Sequence, residues 1–289
     1  VTIVDTTALD VKAVTAASLS ATSRGAITGS GTLAITGVTT LNSGSADITL
    51  DQASSTFGTL TLTGANVAVT DAGAADLGTS TVSGTLGITS SGAITDSGTL
   101  AITGDATFTN TLGSNDAITL DDTSNAFSGT VTFATDSGSA VTIVDTTALD
   151  LKALSAASLN VTAGGAITDS GTLAITGVTT LNSGSADITL DQASSTFGTL
   201  TLTGVNVAVT ENAAMDLGAS TISGTASFSS TNNAITDSGT LAITGATTLN
   251  SGSADITLDQ ASSTFGTLAI TGVNVAVTEN AAMDLGAST

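Results

Sequence analysis

Apolar and hydroxyl-bearing residues alternate along this chain in short runs, such as TLTLT (59–63 and 199–203), TLAIT (32–36) and DITLD (47–51). A period of two puts every second side chain on the same face of an extended strand. Leu60 and Leu62 therefore point one way and the threonines between them the other. The runs are separated by clusters of Gly, Asn, Ser and Asp, which punctuate strands with turns. No stretch carries the 3.6-residue period of an amphipathic helix, so the pattern predicts strands throughout. Proline is absent, which suits sheets in which nearly every N–H must find a partner.

The runs are also words that recur. GSADITLDQASSTFGTL stands unchanged at 44–60, 184–200 and 252–268, and GTLAITG at 31–37, 98–104, 171–177 and 239–245. A short strand-like run closed by an acid recurs more often, ending at Asp5, Asp51, Asp71, Asp96, Asp121, Asp145, Asp169, Asp191, Glu211, Asp237, Asp259 and Glu279. A thirteenth copy ends at Gly29 without the acid. A period in the low twenties with β-branched residues predicts an all-β chain, a parallel β-solenoid. Its crossovers should be right-handed. Taking one acid-ended run per rung gives about thirteen rungs of 20–26 residues, three to each superrepeat of 67–73 residues.

The array runs from 1 to 289 as one body without an internal boundary. VTIVDTTALD opens the chain and returns at 141–150, and the final residues track 205–220. The chain therefore reads as a window on a longer protein. Leu, Ile, Val and Ala fill a narrow core, with Phe57, Phe197, Phe265 and Phe127 as occasional core filler. Glycine and asparagine at the corners are expected to supply positive φ.

Composition removes several function classes. Cys, His, Trp and Tyr are absent, which excludes disulfides, the usual zinc and haem ligation, and any histidine-based triad. The 24 acids face only Lys12, Arg24 and Lys152, for a net charge of −21. Nucleic acid and anionic membrane surfaces are poor partners for such a chain. Mean hydropathy is +0.43 and the apolar residues are patterned, so high charge here does not mean disorder. No run is long enough for a spanning helix.

The acids are the one candidate chemistry. If rungs stack in phase, they form a column, with Asp51, Asp71, Asp191, Glu211, Asp259 and Glu279 as its repeated members. Two readings follow. Each carboxylate accepts a backbone N–H at its turn and faces water, or the column collects calcium between carboxylates and turn carbonyls. A second series, Asp10, Asp76, Asp150, Asp216 and Asp284, follows five residues on and could complete oxygen sites. The adjacent pair Asp121–Asp122 replaces Asp-Gln of the other copies and reads as a surface variant. Without unique residues or a long loop breaking the repeat, the chain is read as non-catalytic.

The phrases GAITDSGTLAITG, TLNSGSADITLD and VNVAVTENAAMDLGAS resemble the repeat regions of filamentous-haemagglutinin-like and autotransporter-like adhesins of bacterial surfaces, over essentially the whole chain. That resemblance implies an extracellular, right-handed β-helical shaft, acting as the building unit of a giant fibre. Its partners would be further repeats or copies of itself, with no nucleic acid and no membrane insertion. An adhesin rod, binding surfaces, glycans or ice through its strand faces, is the alternative.

Overall fold

A computed structural model describes residues 1–289 apart from 112 and 114. The described residues contain strands and turns and no helix. Packing divides the chain into two compact units, Val1–Thr147 and Ala148–Thr289, and each is a parallel β-solenoid in its own right.

In the first unit one face is built from Leu9–Val11, Ile27–Gly29, Ile48–Leu50, Val67–Asp71, Leu86–Ser90, Ala106–Asn110 and Thr130–Ala134. We call this face I. Each strand pairs in parallel with the one a turn later, for instance Val69↔Ile88↔Phe108↔Phe133. Face II begins as single strands, Thr2–Val4, Leu19–Thr22, Thr39–Asn42 and Thr59–Gly64, and then splits into pairs such as Ala75–Leu77 with Ser80–Val82. The second unit repeats the plan, with face I running from Leu149–Leu151 to Asp284–Leu285.

Successive face I strands begin 18 to 24 residues apart in the first unit and 17 to 21 in the second. A turn is therefore shorter than the interval between acid-ended runs, and those runs are not one per turn. One superrepeat amounts to three turns and part of a fourth. AITD consequently lies on face I at Ile167–Asp169 and on face II at Ile235–Asp237, within the same unit. The seventeen-residue phrase does the same, with Ile188–Leu190 on face I and Ile256–Leu258 on face II. Identical letters fold into the same local strand on different sides of the coil.

Alternation fills the interior as expected. Leu60, Leu62, Leu200, Leu202 and their stacked neighbours are buried, and so are Phe57, Phe127, Phe197 and Phe265. Burying one such side chain contributes roughly 1.5–3 kcal/mol. Phe108 stacks on Phe133 with centroids 5.8 Å apart and meets Phe127 edge-on at 6.1 Å.

The corner glycines act differently from expectation. Among the described residues positive φ occurs at Gly44, Gly113, Gly184, Gly252, Asn115 and Asn232. Elsewhere the lack of a side chain is what matters. A Cβ on the first glycine of GTLAITG would lie 2.3 Å from the Ala153 nitrogen at Gly171 and 2.1 Å from the Ala219 nitrogen at Gly239. Coils approach too closely there for any side chain.

One inward position is polar without need. Thr39, Thr179 and Thr247 are fully buried and their hydroxyls have no hydrogen-bond partner. Thr179→Val keeps the shape and removes a desolvated hydroxyl, and is expected to stabilise the second unit by about 1 kcal/mol. The midpoint of urea unfolding checks this, and a fall would show that the hydroxyl is satisfied in solution.

Candidate functional site

Strand parity decides where each acid goes. In VAVTE, Val207 and Val209 point inward, and Glu211 shares their parity. In GAITD, Ile167 and Asp169 both point inward. In DITLD, Ile188 and Leu190 point inward, which leaves Asp191 one step on and exposed. The same alternation buries Asp71 and Asp145 and exposes Asp51 and Asp259. The expected single column therefore does not exist. Asp51, Asp71, Asp191 and Glu211 belong to face I, whereas Asp259 and Glu279 follow strands of face II. Of the six, Asp71 and Glu211 are turned into the core, Asp51, Asp191 and Asp259 face water, and Glu279 is half-buried.

The inward acids tie turns together. Glu211 Oε2 accepts the Phe197 N–H at 2.9 Å, across the coil. Asp145 Oδ1 accepts the Phe127 N–H at 3.2 Å, together with the N–H and hydroxyl of Thr147, each at 2.9 Å. Asp71 takes the Gly73 N–H at 2.8 Å and also holds the Phe57 N–H. The GAITD acids reach one turn onward. Asp169 Oδ1 accepts from Asp191 N at 2.9 Å, Asp237 from Asp259 N at 2.8 Å, and Asp96 from Asp121 N at 2.8 Å.

These groups occupy an interior with little to stabilise charge. The second oxygens of Asp71, Asp145, Asp169 and Glu211 are buried without a partner. Burial pushes the Glu211 carboxyl up to about 8, against the single opposing bond from Phe197. It raises Asp169 to about 6, with the neighbouring Asp191 charge adding to the effect. Asp71, Asp145, Asp96 and Asp237 are raised by burial as well. Asp5 shows the cause by contrast. It makes the Thr7 bonds that Asp145 makes to Thr147, but is only half-buried, and its carboxyl is lowered by those bonds.

Short polar side chains do the same work. The buried Ser55, Ser195 and Ser263 of the repeated phrase accept the N–H of Leu33, Leu173 and Leu241, each at 3.0 Å. In the second acid series Asp10, Asp76, Asp216 and Asp284 join hydroxyls of adjacent turns, whereas Asp150 keeps one buried oxygen without a partner. Asp76 accepts from Thr59 at 2.8 Å and Ser97 at 2.9 Å, and Asp216 from Thr199 and Ser238, both at 2.8 Å. At one corner Asp187 holds both nitrogens of Asn206 at 3.0 Å, while Asn206 Oδ1 takes the N–H and hydroxyl of Thr225. Asp10 is paired with Lys12 and Ser30, which lower its carboxyl. No cluster of three or more acids close enough to hold a metal occurs among the described residues.

Cross-coil ties of the same kinds thus recur along the chain. Four consecutive stretches, 1–63, 64–134, 138–203 and 204–272, match the family described as Repeats of unknown function (DUF5649). The chain belongs to this family. Each DUF5649 repeat contains one GTLAITG and two inward acid positions: Asp5 and Gly29, Asp71 and Asp96, Asp145 and Asp169, Glu211 and Asp237. At Gly29 the room an acid would need is taken by the Leu50 side chain, 2.8 Å from where a Cβ would stand. No curated protein and no solved structure matches the chain.

Proposed function

We propose that the chain is a non-catalytic structural shaft, a building unit of a giant extracellular fibre at a bacterial cell surface, partnered by further repeats or copies of itself. What carries this reading is the use made of the polar side chains. Inward acids and serines bond backbone N–H groups across the coil, and outward acids bond hydroxyls of neighbouring turns. Chemistry that an enzyme would aim at a substrate is here aimed at the next turn. Nearest-neighbour stacking of this kind gives stability that grows with length, which suits a shaft. The resemblance to adhesin repeats points the same way.

A second reading, an adhesin rod, draws on the outward face I columns, where Thr70, Thr89 and Thr109 stand in register. Hydroxyls in such rows could contact glycans or ice. Electron microscopy of the native material on its cells, with and without calcium chelation, separates the two. Filaments many times longer than one chain support the shaft; single short rods ending in a distinct tip support the adhesin.

The exposed Asp51, Asp191 and Asp259 leave calcium one place to act, between chains. EDTA is expected to leave the melting temperature of isolated protein within about a degree, and any effect should appear as dispersal of bundles. A fall of several degrees would mean that a metal is held inside the fold.

A further inference from the structure

The inward carboxylates have a consequence beyond holding a shaft together. Glu211 is completely enclosed, with one oxygen on the Phe197 N–H and the other without any partner. The segment it fastens, Gln192–Gly198, is the least regular part of its turn. A turn bond from Ser195 N to Gln192 O, an isolated bridge between Ala174 and Thr196, the bonds of Ser195 to the Leu173 and Asn212 N–H groups, and the Glu211 contact hold it down. Its Phe197 ring is turned into the core, 4% exposed.

No charge on the surrounding elements compensates an ionised Glu211. The strand Ile188–Leu190 is followed by Asp191, which is exposed. The strand Ala226–Ser230 places Ser230 in register with Glu211. The strand Met215–Leu217 carries Asp216, turned outward to Thr199 and Ser238. Residues 192–198 carry no charge, and Lys152, the cation of this unit, is exposed.

We propose that Glu211 is a proton-operated latch: protonated, it holds the Gln192–Gly198 segment down with its Phe197 ring in the core, and ionised, it must reach water and lifts that segment away. Lifting is local, because opening one segment that lies outside the regular strands costs far less than unfolding the coil. The sign follows from linkage. Glu211 titrates near 4.5 in the unfolded chain and near 8 when enclosed. Its contribution to closure is complete below the first value and lost as pH rises through the second. The latch is therefore shut in mild acid and loosened in alkali. The same arrangement stands where Asp71 holds the Phe57 N–H and Asp145 the Phe127 N–H, with one carboxylate oxygen unpartnered in each.

Amide hydrogen exchange on the whole chain, corrected for the intrinsic pH dependence, tests this. Protection of the Phe197 amide is expected to fall by on the order of a hundredfold or more between pH 5 and pH 9. The Leu202 amide, bonded to the Ser220 hydroxyl, serves as an unchanged control. Glu211→Gln should keep the segment shut and flatten the response. Glu211→Asp, the residue present at the matching position 71, should retain a pH response and guards against a glutamine variant that does not fold. Equal protection at both pH values in the parent protein overturns the proposal. So does a glutamine variant that keeps the parent's pH dependence, and so does loss of protection at Phe197 and Leu202 together, which would mark global unfolding instead.

Discussion

Placing alanine at Gly239 is expected to cost roughly 4 kcal/mol or more, the range reached when an interior is overpacked without room to relax. The new Cβ would lie 2.1 Å from the Ala219 nitrogen and 2.7 Å from the Ala219 Cα, both backbone atoms of the preceding turn. Neither can swing away as a side-chain tip would. The coil must separate at this corner, and parallel pairs on either side, such as Leu217↔Asp237 and Ser220↔Leu241, lose their bonds. Gly184→Ala in the same unit is the matched control. Gly184 has φ of +57° and open space around it, so alanine there meets only the left-handed backbone penalty, about 1 kcal/mol. Urea unfolding of the two variants should differ several-fold in destabilisation. Equal costs would mean that conformational freedom, and not coil spacing, keeps glycine at both places.

Phe108→Ala should be the most damaging change on face I of the first unit, at about 3–5 kcal/mol. The ring is fully buried between Ile88 and Phe133 in the register and meets Phe127 from the opposite wall. Removing it empties the middle of a cluster of three rings. Phe228→Ala in the second unit deletes an equally buried ring, placed between Val209 and Leu249. It should cost less by about 1 kcal/mol, the worth of aromatic pairing beyond area. Limited proteolysis across a urea series reads each unit separately, which matters because repeat arrays need not unfold in one step. If Phe108→Ala is the milder of the two, the ring cluster contributes nothing beyond the volume it fills.

The strand type, the parallel stacking and the inward leucines were legible because period-two alternation leaves few other outcomes. The length of a turn was not. Words recur at intervals set by how the chain duplicated, whereas a turn closes when three or so strands and their corners have gone round. AITD on two faces is where those rhythms part. The acids were misassigned for a related reason. Each was read as the end of a strand, although counting back by two from Glu211 to Val209 and Val207 places it inward, and the same count from Asp191 reaches Thr189, which faces out. That signal was present in the letters. What the letters could not supply was depth: Asp5 and Asp145 close the same five-residue phrase, VTIVD, yet only Asp145 is fully covered. Nor could they tell a glycine needed for φ, as at Gly184, from one needed for proximity, as at Gly239, since both look like corners.

That one phrase folds equally well on either face bears on how such a gene can change. GTLAITG recurs after 67, 73 and 68 residues, none of them a whole number of turns. Unequal crossing-over between near-identical stretches of coding sequence would add or delete blocks of that size. Were each face to demand its own sequence, every such event would bring residues to the wrong side and break the coil. Here a block arriving on another face finds strands with the same parity and corners with the same glycines. Recombination can therefore lengthen or shorten the product without a compensating mutation.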